Sequence, residues 1–260
     1  MGHQYTVNGE PRHDVAPRKA KEMGLIFSVT EQFKILSKPG LAVWLEKELA
    51  RAAYNNPPTN GESLDSFFSR LKSTRYNNTS GAAELGSEIH AAIEHCLRGG
   101  SLDEIHSSIR KYAEPAVKYF NVKNFKADKL EEIVVCPEHT FAGTADVLGT
   151  TSNGLPFVMD WKSKRSIPSK PMSPYDENRW QLASYSVAAF GEDRVLNHEI
   201  WACNCFISTT EFGDDGLARF EAYSYPPEEV AEAWKTARSL FELYRLVTGY
   251  DPRKIWNEEQ

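Results

Sequence analysis

Two aspartates and a lysine have the residue types and the spacing for chemistry on a phosphate group. Asp146 ends the segment Gly143-Thr-Ala-Asp146, and Asp160 and Lys162 stand two residues apart in Asp160-Trp-Lys162. Side chains two apart on a β-strand project from the same face, and a hairpin would bring Asp146 to that face. Two carboxylates suit a divalent cation that keeps waters and takes substrate phosphates. The alternative is that Asp160 and Lys162 are edge-strand charges and that Asp146 caps a turn.

Two further polar pairs stand at helical spacing. His90 and Glu94 are four residues apart, and so are Gln181 and Tyr185. Residues four apart share one face of a helix, so each pair can present two polar groups to one site. Alone, such a pair is more often a detail of helix packing. The zinc motifs H-E-x-x-H and H-x-x-E-H are absent from the sequence.

Charge and cysteine content exclude several protein classes. The formal net charge of −6 argues against a surface that binds polyanions everywhere. Residues 161–175 nevertheless carry four basic side chains and no acid. The four cysteines include no C-x-x-C pair, which favours buried reduced thiols over metal ligands or a disulfide framework.

The sequence lacks the features of a membrane or secreted protein. Its longest uncharged run, residues 147–159, falls short of the roughly 20 apolar residues that cross a bilayer. The N-terminus has no basic region followed by an apolar core. We therefore expect a cytoplasmic protein with no membrane partner.

Hydrophobic spacing predicts an α/β protein with a helical N-terminal section. Residues 1–24 have no periodicity and predict an extended arm, and Pro39-Gly40 is expected to interrupt the helical pattern that follows. Periodicity indicates these elements: helices over 63–73, 82–98 and 102–120, strands over 132–137, 140–148 and 155–162, a helix over 176–190, strands over 198–208 and 218–224, and a helix over 227–248. We expect a helical section at 25–125 integrated with a core at 126–250, then a tail at 251–260.

Taken in chain order, these residues resemble the signature of the PD-(D/E)XK nuclease superfamily in its RecB-type branch. That signature is a helix with a histidine, then G-x-x-D, then (D/E)-x-K after an apolar residue, then Q-x-x-x-Y. Here it stands as His90, Gly143-Thr-Ala-Asp146, Met159-Asp160-Trp-Lys162 and Gln181-Leu-Ala-Ser-Tyr185. The resemblance extends over residues 27–250 and includes features of the mitochondrial genome maintenance exonucleases and their viral and bacterial relatives. It implies a restriction-endonuclease-like core, a mixed central sheet flanked by helices.

The resemblance also implies a metal site. Asp146 and Asp160, with the Trp161 carbonyl, would hold Mg²⁺ or Mn²⁺. His90 and Glu94 would complete or tune that site. The cysteine spacing of the iron–sulfur members of the branch is absent, so no iron–sulfur cluster is expected. Ala145 stands where the superfamily's name motif has proline, a common relaxation.

Catalytic and DNA-binding roles follow from the same resemblance. Lys162 would act in catalysis, and Gln181 and Tyr185 would orient Lys162 or the phosphate. Because the ordinary pKa of lysine is far above neutrality, we expect Lys162 to be charged and to position the attacking water. These residues would contact the DNA backbone: Ser163, Lys164, Arg165, Lys170 and Arg179.

The implied activity is a metal-dependent DNA exonuclease in replication, repair or recombination, acting on single strands or duplex ends. One alternative is a recombination exonuclease that acts on duplex ends, like lambda exonuclease. Another is a catalytically silent nucleic-acid-binding protein on the same fold. The intact Asp146, Asp160 and Lys162 count against the silent form.

Overall fold

A computed structural model describes residues 3–37 and 39–257 of the chain. In those ranges the helices are α1 Pro17–Glu22, α2 Val29–Gln32, α3 Pro39–Asn55, α4 Leu64–Leu97, α5 Ser107–Val122, α6 Asp176–Phe190, α7 Glu192–Leu196, α8 Pro227–Thr248 and α9 Arg253–Trp256. The strands are β1 Gln4–Tyr5, β2 Ile26–Phe27, β3 Lys126–Cys136, β4 Phe141–Thr150, β5 Pro156–Lys164, β6 Trp201–Phe212 and β7 Ala218–Tyr225. None of these helices combines the length and apolarity that a bilayer crossing requires.

The central sheet is mixed, and helices flank it. Its strand order is β3-β4-β5-β6-β7, in which β5 and β6 run parallel and the other neighbours run antiparallel. A parallel pair needs a crossover connection, and α6 and α7 supply it here. The predicted α/β class with a mixed, helix-flanked sheet is therefore confirmed.

The sheet is covered by helices that bury aromatic side chains. The helix α6 packs on β3 to β6 and against α8, which also contacts β6 and β7, while α5 packs on β6 and β7. Phe141 stacks on Phe241 with ring centroids 4.4 Å apart. Near α5, Phe157 contacts Phe125 at 5.1 Å. Offset aromatic pairs of this kind add to the energy of burial.

The N-terminal segment is folded rather than extended. The strands β1 and β2 pair antiparallel, and Tyr5 is only 3% exposed. Pro17 begins α1, the helix position where a missing N–H costs nothing. The extended arm predicted for residues 1–24 is thus wrong over the described part, because these residues find partners far along the chain.

The end of the predicted core and the predicted tail both supply partners for the N-terminal segment. The Trp256 indole donates to the Gly24 carbonyl at 2.9 Å, and the Tyr250 hydroxyl donates to the Leu25 carbonyl at 2.6 Å. The helix α9 lies inside the predicted tail, whose last residues, 258–260, are outside the described residues.

Two compact units divide the chain differently from the predicted boundaries. One is Leu36–Glu88, and the other contains the remaining residues. Within the smaller unit, Pro39 begins α3 instead of interrupting a helix. In place of two predicted helices, one helix, α4, runs through Gly81, because a single glycine weakens a helix by about 1 kcal/mol without ending it.

Candidate active site

Asp146 lies where strands β4 and β5 separate. Their pairing extends only from Thr150–Pro156 to Val147–Met159. Beyond that point the N–H of Trp161, on the side of β5 that faces β4, has no backbone partner in β4. The Asp146 carboxylate replaces that partner, and its Oδ2 accepts the Trp161 N–H at 2.7 Å. This hydrogen bond holds the Asp146 carboxylate beside β5, where Asp146 is buried and only 9% exposed.

Asp160 and Lys162 share one face of β5, as their spacing predicts. The Lys162 ammonium donates to Asp160 Oδ1 at 2.8 Å. Asn204, which lies opposite Asp160 on β6, donates from Nδ2 to Asp160 Oδ2 at 3.2 Å. Asp160 is 3% exposed, and each of its oxygens has a donor.

The electrostatic state of the site follows from this crowding. Burial raises the pKa of Asp146 well above its ordinary value, and the nearby Asp160 charge raises it further. Burial lowers the pKa of Lys162, but the Asp160 and Asp146 carboxylates outweigh burial and raise it. Lys162 is therefore protonated, which agrees with a positioning role and opposes a role as general base.

His90 approaches the same carboxylate from α4. Its Nδ1 is 3.5 Å from Asp146 Oδ2. Burial lowers the pKa of His90 against the opposing effect of Asp160, so the ring is neutral at pH 7. A neutral imidazole has a lone pair for a metal ion.

Glu131 joins this group although sequence analysis did not select it. Ligand atoms of His90, Glu131 and Asp146 all lie within 4.8 Å of one another. Glu131 has a φ of 51° and lies between the β3–β4 pairs Leu130–Val147 and Glu132–Ala145. Its position opposite Asp146 depends on strand register. The predicted strand began one residue later, so no sequence signal selected it.

Glu94 is near the site but is engaged elsewhere. Its carboxylate forms an ion pair with Arg98 at 2.7 Å. Burial raises the pKa of Glu131, and the Glu94 charge adds to that rise. Among the described residues, neither Glu94 nor Asp160 belongs to the group of three close ligand atoms. Both contacts of Arg98 are to Glu94 Oε1, so Glu94 Oε2 keeps its lone pairs for the ligand role that the resemblance implies.

Tyr185, which is hydrogen-bonded to Gln181, packs against the glycine of the G-x-x-D segment. Gln181 donates from Nε2 to the Tyr185 hydroxyl at 2.9 Å. A Cβ on Gly143 would lie 2.5 Å from Cε1 and 2.6 Å from the hydroxyl oxygen of Tyr185. The glycine is therefore needed for space: the Tyr185 ring occupies the volume that a side chain at position 143 would fill.

We expect Gly143→Ala to destabilise the protein by about 1–3 kcal/mol, because overpacking a filled core displaces its neighbours. Denaturant unfolding measures the change. Gly81→Ala is the matched control, since a Cβ at that helical glycine meets open space and favours the helix. Gly143→Ala/Tyr185→Leu should recover part of the loss. Equal losses at positions 81 and 143 would contradict the steric explanation.

The residues expected to contact DNA lie between the end of β5 and the start of α6. Arg165 and Lys170 are exposed, whereas Ser163 and Lys164 are half-buried. The Lys164 ammonium donates to the Ser173 carbonyl at 3.2 Å and lies 5.0 Å from the centre of the Phe206 ring. Arg179 forms an ion pair with Asp176. Arg165 and Lys170 are thus the basic side chains here most open to a phosphate.

All four cysteines are free thiols. Cys136, Cys203 and Cys205 are buried, and Cys96 is partly buried. The Sγ atoms of Cys203 and Cys205 are 3.6 Å apart, far beyond the bond length of a disulfide, about 2.05 Å.

Comparisons with known proteins do not place the chain in a family. No protein-family model matches it, and no curated protein matches it. The arrangement of side chains around Asp146, Asp160 and Lys162 therefore carries the functional argument.

Proposed function

We propose that the chain is a metal-dependent DNA exonuclease that hydrolyses phosphodiester bonds from strand ends. The convergence of buried Asp146 and Asp160 with a protonated Lys162 carries this proposal. Burying three ionisable groups together costs stability unless they are paired. Ionisable groups whose pKa values are shifted by burial and by a specific charged partner cluster at functional sites.

The residues around Asp146 have the donors that a divalent cation takes. Asp146 and Glu131 offer carboxylate oxygens, and His90 offers an imidazole nitrogen. Asp160 and the Trp161 carbonyl would add oxygen from β5. Carboxylates suit Mg²⁺ and Mn²⁺, and an imidazole ligand shifts preference toward Mn²⁺. A bound cation would lower the pKa of a water and stabilise charge on the phosphate.

The side chains on β5 and α6 would act on the phosphate itself. The Lys162 ammonium, held by Asp160, would donate to a phosphate oxygen and offset the charge that develops there. Burial raises the pKa of Tyr185, so its hydroxyl stays protonated and holds the Gln181 amide. Gln181 and Tyr185 would thereby limit how Lys162 and the phosphate move.

DNA is the proposed substrate, and the cell interior is the proposed compartment. Ser163, Lys164, Arg165, Lys170 and Arg179 would track the backbone of a single strand or a duplex end. The charges of Arg165 and Lys170 contact phosphates without reading bases. Action on duplex ends in recombination and a catalytically silent binding role are the competing functions.

Digestion of end-labelled oligonucleotides tests activity, metal need and polarity together. The purified protein is incubated with Mg²⁺, Mn²⁺ or EDTA on single-stranded DNA, blunt duplex, 5′-phosphorylated duplex and RNA. We expect cleavage with Mg²⁺ or Mn²⁺, with product ladders that shorten from one end. We expect none in EDTA, because the carboxylate site acts through a cation.

Thermal unfolding in EDTA is the control, since loss of the cation should leave the fold intact. Undiminished cleavage in excess EDTA would contradict the metal site. Binding of DNA without cleavage under every metal condition would favour the silent function. Preference for 5′-phosphorylated duplex over single strands would favour the duplex-end enzyme.

A further inference from the structure

A buried chain of hydrogen bonds leads away from Asp160 across two neighbouring strands. Asn204 on β6 donates from Nδ2 to Asp160 Oδ2 at 3.2 Å. The Tyr225 hydroxyl on β7 donates to Asn204 Oδ1 at 3.1 Å. Asn204 is fully buried and Tyr225 is 7% exposed, so both bonds lie inside the protein.

The chemistry of the two ends fixes how the Asn204 amide is oriented. Asp160 carries an ion pair with Lys162, and an ionised carboxylate only accepts hydrogen bonds. The amide must therefore turn its NH₂ group to Asp160 and its oxygen to Tyr225. The Tyr225 hydroxyl stabilises this orientation by donating to the amide oxygen. A half-turn of the amide would break that hydrogen bond and place the amide oxygen against the Asp160 carboxylate.

Stability alone does not account for an amide at this position. The residues on the same face of β6 as Asn204 are the buried, apolar Ala202 and Phe206. Burying an amide costs free energy unless it is hydrogen-bonded, and an apolar residue there would avoid that cost. The amide instead supplies one of the two donors that hold the Asp160 carboxylate.

We propose that Asn204 and Tyr225 are positioning residues that hold the Asp160 carboxylate in the orientation used for cation binding. Lys162 restrains Oδ1 and Asn204 restrains Oδ2, and each oxygen keeps a second lone pair that a cation can take. The inference rests on the proposed metal site. Hydrogen bonds to ligating carboxylates commonly change metal affinity 10- to 100-fold.

Titration of the metal-free protein with MnCl₂ in a calorimeter, without DNA, tests the proposal. Tyr225→Phe removes only the hydroxyl, and we expect the dissociation constant for Mn²⁺ to rise about tenfold. Asn204→Val removes the amide and should raise it by roughly 10- to 100-fold. Tyr223→Phe is the matched control, because its hydroxyl donates to Glu221 instead and its loss should leave the constant unchanged.

The Mn²⁺ affinities of the wild type and the variants test the positioning role and the metal site separately. Equal Mn²⁺ affinity for wild type, Tyr225→Phe and Asn204→Val would overturn the positioning role while leaving the metal site intact. Absence of Mn²⁺ binding by the wild type would overturn the metal site and this inference together. Thermal unfolding in EDTA shows whether each variant is folded. If Tyr225→Phe does not fold, the comparison of Asn204→Val with Tyr223→Phe decides the proposal.

Discussion

Asp160→Ala is expected to lower the cleavage rate by about a thousandfold or more, equivalent to roughly 4 kcal/mol of transition-state stabilisation. The substitution would remove a proposed cation ligand and would also release the Lys162 ammonium that Asp160 holds. Single-turnover digestion of an end-labelled strand measures the rate. DNA affinity in EDTA, measured by fluorescence anisotropy, should hold or rise, because a carboxylate that repels phosphate is gone.

Asp214→Ala is the matched control for this prediction. Asp214 is an exposed aspartate in the turn between β6 and β7, and its loss should leave the rate unchanged. A near wild-type rate for Asp160→Ala would show that another carboxylate performs the role. Equal rate losses in the two variants would point to a general effect of charge.

Asp146→Asn is expected to abolish metal-dependent cleavage while stabilising the metal-free protein at neutral pH. Burial raises the pKa of Asp146 in the folded state, so the folded chain holds a proton that the unfolded chain releases. Stability is therefore lost as pH rises from the ordinary aspartate pKa through the raised one. An amide carries no such proton, and we expect a gain of about 1–2 kcal/mol at pH 7.

Thermal unfolding in EDTA at a series of pH values measures this effect. The gain corresponds to a Tm rise of about 2–4 °C per kcal/mol and should vanish in acid, below the ordinary aspartate pKa. Added Mn²⁺ should raise the Tm of the wild type and not that of Asp146→Asn. Asp214→Asn is the control. A lower Tm for Asp146→Asn at pH 7 would contradict the raised pKa as a source of instability.

Local sequence signals predicted the elements whose ends are set by neighbouring residues. The helix α8 begins at Pro227, and Gly249 after it has a φ of 63°. Proline at the first position and glycine after the last are strong boundary signals. The predicted bounds of α8, 227–248, agree with the structure for this reason, and α6, predicted over 176–190, likewise ends before a glycine, Gly191.

Segments held by distant partners could not be predicted in the same way. The buried Tyr5 in β1 shares a hydrogen bond of 3.4 Å with Thr144 in β4, which ties the N-terminal segment to the central sheet. No periodicity in residues 1–24 indicates such a contact. A short segment with weak periodicity gains its structure from packing, and packing is not visible in a local window.

In the candidate site, too, local spacing predicted some residues and missed those that are placed by the pairing of strands. Asp160 and Lys162 share a strand, so a spacing of two was enough to place them together. Glu131 and Asn204 reach the site through strand register, which depends on how whole strands align. The resemblance gave no role to either residue, and it selected Glu94, whose carboxylate pairs with Arg98.

The parallel pairing of β5 with β6 has a consequence for the order of folding. In the described five-stranded sheet, the antiparallel pairs join strands that follow one another directly, whereas β5 reaches β6 only across residues 165–200. Pairings between distant segments form late, because the intervening chain must first be ordered. Asp160 therefore meets Asn204 only when the two halves of the sheet dock. A partly synthesised or partly unfolded chain would hold the Asp146 hairpin yet lack the assembled site, so the activity we propose would begin only once the sheet is complete.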